Sequence, residues 1–372
     1  MGQRHILVVA GEPSGDTYGA QVIHRLRERD PELYFFGIGG REMERAGVKL
    51  LGRCEEMAVV GIVEAVGKLP KVIKVWRRLK RAIELLKPKL SILIDYPGFN
   101  LRLARELKGR GVPVLYYVSP QLWAWWPQRA KEFRKGIDQL AVILPFEVDF
   151  FRRYGIEATF VGHPQREVIK EAPSRGEARR LLGVQPGERV IGLFPGSREG
   201  ELKRHIGPMV GAVKILREQV PGLRFFLALA SGLEPPRLDP VGIEVLQGEA
   251  LKVVAASDLL LAASGTVTLQ GALMGIPMVV IYRVNPLSYW LGKRIVRVSF
   301  ISLPNLLLGE GLLPELIQQD VSPWRIATEA KGLLLDQERR ERIREGFRRI
   351  RELLPEGAPD RVADMAIKLM EG

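Results

Sequence analysis

The sequence predicts an α/β protein made of two Rossmann-like domains. Short runs rich in Val, Ile and Leu alternate with helical patterns, the alternation restarts midway, and small-residue turns follow several runs. The first series comprises residues 6–10, 34–37, 90–94, 112–118 and 140–144. The second comprises residues 190–194, 225–228, 243–246, 259–262 and 278–282. Unbroken apolar strands of this length suit a parallel sheet buried on both faces. Between the series, Gly162 and Pro164 interrupt helix and strand alike. Residues 1–163 therefore read as one domain and 164–345 as the other, with the amphipathic segment 346–372 expected to cross back onto the first.

At 372 residues, the chain suits two cores better than one. A single cysteine, Cys54, excludes a disulfide framework and a multi-cysteine metal cage. The four histidines (His5, His24, His163 and His205) have no ligand spacing and Asp-x-Asp is absent, so no metal is expected; the turn after the first run is not Gly-x-Gly-x-x-Gly, and no cofactor is expected either. The apolar run 6–10 is too short for a signal-peptide core, and no stretch approaches the ~20 apolar residues of a membrane span. A cytoplasmic or membrane-surface protein is the expectation. The net charge of +13 favours a polyanionic partner: nucleic acid, anionic lipid or a phosphorylated substrate.

Asp95 closes the run 90–94 and precedes Tyr96-Pro97-Gly98-Phe99-Asn100, which cannot continue a strand. Ligands of parallel sheets gather beyond the carboxyl ends of strands, so Asp95 reads as a reactive acid or, alternatively, as a solvated loop carboxylate. The turn 10–16 brings Glu12, Ser14 and Asp16 to the same sheet edge as competing bases or acceptor contacts. Residues 37–40 read as a tight turn. In the second domain, Pro195-Gly196-Ser197-Arg198 and Ser264-Gly265-Thr266 each join a strand to a helix. Such turns offer N–H groups, hydroxyls and, at Arg198, a guanidinium to an anion, and two together fit a diphosphate. Neither is a Walker sequence.

Residues 68–81 carry seven basic residues and no acid, interleaved with the stripe Val63, Val66, Leu69, Val72, Ile73 and Trp76. The spacing predicts an amphipathic helix with Pro70 in its first turn, reading either as a membrane-surface element or as a core helix with a solvated basic back. Trp123, Trp125 and Trp126 follow another strand end, as walls for a sugar or lipid or as core.

Seven collinear motifs then stand together: 10–16 (AGEPSGD), 94–100 (IDYPGFN), 117–125 (YVSPQLWAW), 144–147 (LPFE), 194–198 (FPGSR), 263–266 (ASGT) and 302–305 (SLPN). Over most of the chain they resemble the lipid A disaccharide synthases. The resemblance implies a GT-B glycosyltransferase, with two Rossmann-like domains facing across a cleft, acceptor on the first and UDP-sugar on the second. It implies inverting transfer from UDP-2,3-diacylglucosamine to 2,3-diacylglucosamine 1-phosphate, giving a β-1,6-linked disaccharide phosphate and UDP at the inner membrane's cytoplasmic face. Asp95 takes the family's essential acid position. Ser197, Arg198, Ser264, Gly265, Thr266, Tyr282, Asn305, Glu315 and Gln318 match donor-side motifs. Gln270 stands where many of the superfamily place a ribose-binding glutamate, so ribose recognition is expected to be weaker or shared with Glu315. A homodimer is left open.

The rival enzyme reading is another GT-B protein using UDP-N-acetylglucosamine, a transferase or an epimerase, which shares the donor turns without the setting of Asp95. A nonenzymatic basic binder is the rival from another class. No nucleic-acid module supports it.

Overall fold

The structure is a computed structural model and describes residues 4–54, 62–238, 242–286, 289–290 and 298–371, excepting the side chains of 62–69. It divides into two compact units: Met1–Pro164 with Pro355–Gly372, and Gln165–Leu354.

The first unit runs β1 (Arg4–Ala10), α1 (Pro13–Arg29), β2 (Leu33–Gly39), α2 (Arg41–Arg45), β3 (Lys49–Arg53), α3 (Ile62–Leu86), β4 (Leu90–Ile94) and α4 (Pro97–Gly109). It continues with β5 (Val114–Tyr117), α5 (Leu122–Trp125), a 3-10 stretch Pro127–Lys135, β6 (Gln139–Val142), α6 (Phe146–Arg152) and β7 (Ala158–Phe160). The strands form one parallel sheet ordered β3-β2-β1-β4-β5-β6-β7. Burial explains the apolar runs: Ile6 to Ala10 and Leu90 to Ile94 are covered on both faces. The order reverses between β1 and β4, which is where ligands enter sheets of this kind. There Ala10 pairs with Ile94, and Ile94 with Tyr117, so the segments after β1, β4 and β5 leave the sheet side by side.

The second unit runs α7 (Gln165–Val168), α8 (Arg175–Leu181), β8 (Arg189–Phe194), α9 (Glu199–Gln219), β9 (Leu223–Leu229), β10 (Ile243–Gln247), α10 (Ala250–Ala256) and β11 (Leu259–Ala263). It ends with α11 (Thr266–Leu273), β12 (Met278–Tyr282), α12 (Leu303–Leu308), β13 (Glu315–Ile317), α13 (Pro323–Leu335) and α14 (Gln337–Leu353). Its parallel sheet, β10-β9-β8-β11-β12-β13, reverses between β8 and β11, whose ends carry the two small-residue turns.

Four expectations change. Residues 37–39 belong to β2 rather than to a turn. Pro70 lies inside α3, which begins at Ile62. The strands β3, β7 and β13, absent from the sequence reading, are all sheet edges, where short segments half-covered by neighbours need no long apolar run. The return to the first unit falls at Pro355, not at residue 346. Ile343, Phe347 and Ile350 of α14 are buried, and α14 packs on α11, α12 and α13 of the second unit. The following α15 (Ala358–Glu371) packs on α1, β4 and β5, burying Val362, Ala363 and Ala366, and Arg361 Nε donates to the Val161 carbonyl at 2.8 Å.

Candidate functional site

At the switch point of the first sheet, Asp95 follows β4, partly buried, with Glu12 after β1 beside it. Burial is the largest influence on Asp95 and raises its carboxyl to about 7; the charges of Glu12 and Glu147 add to this, and the Tyr96 N–H opposes it. A carboxylate with that ionisation range can take a proton near neutral pH. Gly11 makes the close approach of Tyr96 feasible, because a Cβ there would stand 2.3 Å from Tyr96 Cγ. Tyr96 in turn stacks on Phe99 with centroids 5.8 Å apart.

Glu147 carries no mark of a role in the sequence beyond its place in the 144–147 motif, yet it is fully buried under this edge. Its Oε1 accepts from Ser119 Oγ at 2.5 Å and Trp123 Nε1 at 3.2 Å, and its Oε2 from the N–H groups of Ile143 and Leu144. Burial pushes its carboxyl up to about 7 against those four donors. Trp123 is thereby a structural residue, also edge-on to Phe146 at 5.0 Å, whereas Trp125 and Trp126 are exposed.

Asp16 does not stand as a competing base. Its buried carboxylate accepts from the N–H groups of Gly40 at 2.6 Å, Glu42 at 3.0 Å and Met43 at 3.1 Å, which caps α2. Ser14, in the first turn of α1, and Glu12 remain near Asp95's edge.

In the second unit, Ser197 and Arg198 are exposed after β8. Their N–H groups are not open, however: both donate to Glu201 Oε2, at 3.0 and 3.3 Å, while Arg198 pairs loosely with Oε1. Gly196, at φ +117, lets that carboxylate fold back, since a Cβ would meet Glu201 Oε2 at 2.3 Å. Glu201, at N3 of α9, reaches back to the N–H of the N-cap residue Arg198; this is one half of a capping box, because a guanidinium cannot accept a bond in return. Beneath the turn, His205 Nδ1 donates to the Pro195 carbonyl at 2.7 Å and Nε2 accepts from the Arg283 N–H at 3.0 Å, which requires the neutral ring. Burial, the largest influence, holds its pKa below the ordinary value. His205 so ties the end of β8 to the end of β12, where Tyr282 is partly buried.

After β11, Gly265 and Thr266 are exposed, and Ser264 Oγ donates to the Ile301 carbonyl at 2.6 Å. Gln270 Nε2 donates to Gln165 Oε1 at 2.9 Å. Three other donor-side residues are turned inward. Glu315 Oε1 accepts from Ser302 N, Ser302 Oγ and Asn305 Nδ2, and its Oε2 from Ile301 N. Asn305 also exchanges both amide bonds with Leu313. Gln318 does the same with Val284, at 2.8 and 3.3 Å. Glu315 is therefore not placed to share a ribose contact, because four donors already hold its carboxylate.

On α3, Val72 and Trp76 are partly buried against the core rather than displayed. Trp76 meets Phe99 edge-on at 5.0 Å and carries Arg102 over its ring at 5.3 Å. Ile73 is 42% exposed, among exposed Lys71, Lys74, Arg77 and Arg78. The side chains of Val63, Val66 and Leu69 lie outside the described residues.

A family model described as lipid-A-disaccharide synthetase matches residues 6–366. The chain belongs to that family. Lipid-A-disaccharide synthase of Geobacter metallireducens is 43% identical, with 99% of this chain and 97% of that protein covered. That of Syntrophus aciditrophicus is 41% identical, with 100% and 99% covered. Among solved structures, UDP-GlcNAc 2-epimerase from Neisseria meningitidis bound to UDP-GlcNAc matches with a TM-score of 0.66 at 12% identity, covering 99% of this chain and 100% of that one. CalG4, the calicheamicin glycosyltransferase, matches with a TM-score of 0.62 at 17% identity, covering 100% and 99%. These two share the fold, an α/β arrangement of two Rossmann-type sheets. As a lipid-A-disaccharide synthase family member the chain is a glycosyltransferase, and the substrate classes the family implies are a sugar nucleotide and a glycolipid acceptor.

Proposed function

We propose that the chain transfers the diacylglucosaminyl group of UDP-2,3-diacylglucosamine to the 6-hydroxyl of 2,3-diacylglucosamine 1-phosphate. The family match over residues 6–366 carries this reading, and Asp95, at the end of β4 with its carboxyl raised to about 7 by burial, supplies the base. It takes the hydroxyl proton as the oxygen attacks the anomeric carbon. The new C–O bond forms on the face opposite the diphosphate, and the bond to UDP breaks with its electron pair on the phosphate oxygen, so the centre inverts. Base catalysis of this kind contributes about 10²- to 10⁴-fold.

The first unit is assigned the acceptor and the second the donor. Arg198 and the segment Ser264 to Thr266 receive the diphosphate, where positive charge and helix N-termini stabilise the leaving group. To do so the diphosphate displaces Glu201 from the Ser197 and Arg198 N–H groups. Tyr282 and the amide oxygen of Gln270 are the remaining donor contacts, with His205, Asn305, Glu315 and Gln318 shaping the loops. The protein is assigned to the cytoplasmic face of the inner membrane, held through the basic surface of α3. Among the described residues no helix is long and apolar enough to cross a membrane.

Mass detection of a tetraacyl disaccharide phosphate from the two authentic substrates tests the reading. Absence of that product, from folded enzyme with both substrates present, refutes it.

A further inference from the structure

The end of β4 adopts a backbone that residues with side chains rarely take. Asp95 and Tyr96 lie consecutively in the left-handed region, at φ +46 and +50, and neither is glycine. Several hydrogen bonds hold the distortion. Asn100 Nδ2, one turn into α4, donates to the Ile94 carbonyl at 3.1 Å and to the Asp95 carbonyl at 2.8 Å. The Tyr116 hydroxyl, from β5, donates to the same Asp95 carbonyl at 2.5 Å. The Asp95 N–H donates to the Tyr117 carbonyl at 3.0 Å, so the residue is gripped at both ends. Asn100 and Tyr116 are both 0% exposed, so the two donor side chains are themselves shielded from water. None of the bonds involves the Asp95 carboxylate.

In extended backbone, side chains alternate between the two sheet faces, and residue 95 would point among the flanking helices. The left-handed turn redirects its Cα–Cβ bond. We propose that Asn100 and Tyr116 are positioning residues for the transfer: by clamping the Asp95 carbonyl, they fix the strained backbone that aims the Asp95 carboxylate. The proposal rests on Asp95 as the base.

Tyr116→Phe removes one hydroxyl and keeps the ring's packing on Phe133, 5.0 Å away. It is expected to lower kcat by about 10- to 100-fold through misplacement of the base, with KM for the UDP-sugar unchanged. The acid limb of the pH–kcat profile should move to lower pH, because a released carboxyl leaves its desolvated position. In the Asp95→Asn background the same change should cost nothing further, since there is no base left to aim. A folded Tyr116→Phe enzyme with unchanged kcat and acid limb overturns the clamp, as does a loss that multiplies undiminished in the Asp95→Asn background. Full turnover by Asp95→Asn alone identifies a failure of the base assignment instead, and the clamp falls with it.

Discussion

Asp95 is a carboxyl whose surroundings oppose its charge, and two measurements follow from that. Turnover should rise with pH through about 7, because the base must be ionised; a kcat profile flat from pH 5 to 9 with chemistry limiting would contradict it. Stability should move the other way. A folded-state pKa above the unfolded 3.8 means the folded chain binds the proton more tightly, so this group costs stability increasingly as pH rises from about 4 to 7. Asp95→Asn should then match the parent in urea unfolding at pH 4 and exceed it at pH 8 by on the order of 1–3 kcal/mol, while losing about 10²- to 10⁴-fold in kcat and retaining UDP binding. Equal stabilities at pH 8 would show a solvated side chain. Asp95 was legible as a strand-end acid because an apolar run stops there. Asp16 looked equivalent in sequence, and its partners, more than 20 residues away at Gly40, Glu42 and Met43, make it a cap.

Elements resolve ambiguities that residue types leave open. The apolar stripe of α3 has the period of either a core helix or a membrane helix; beyond residue 71 the core half-buries Val72 and Trp76 beside the buried Val75, Leu79 and Ile83, while Ile73 stays exposed. Trp76→Ala should therefore destabilise the protein by about 3 kcal/mol or more in urea unfolding, as large aromatic truncations do. Ile73→Ser should leave stability within about 0.5 kcal/mol and lower retention on anionic vesicles, since only its exposed face changes. Unchanged retention would remove Ile73 from the membrane surface. In the second unit, the Glu315 bracket makes a contrasting case. Glu315→Gln places an N–H₂ group against donors from Ile301, Ser302 and Asn305 and should cost about 1–3 kcal/mol in chemical denaturation. No local pattern reveals such a bracket, because its partners come from a loop and a helix 10 to 14 residues upstream.

The whole molecule is two Rossmann-type units sharing one chain, and the last helix belongs to the first of them. Deleting residues 355–372 should uncover α1, β4 and β5 and lose the cooperative unfolding of the first unit, while amides of β8, β11 and β12 keep their exchange protection. Equal protection throughout both sheets would contradict the division. At this scale the +13 charge predicts vesicle retention that weakens with salt, and retention insensitive to ionic strength would exclude the basic surface as its cause. The sequence by itself determined the α/β class, the restart at the second domain, the small-residue turns and the family, because buried parallel strands and the segments at their ends are encoded locally, in continuous runs. Tertiary structure decided which polar groups remain available. The edge strands, the crossover at Pro355, the inward turn of Asn305, Glu315 and Gln318, and the left-handed end of β4 all depend on partners distant in sequence. Local periodicity records which segments are buried, whereas hydrogen bonding across a folded core decides what each side chain is left to do.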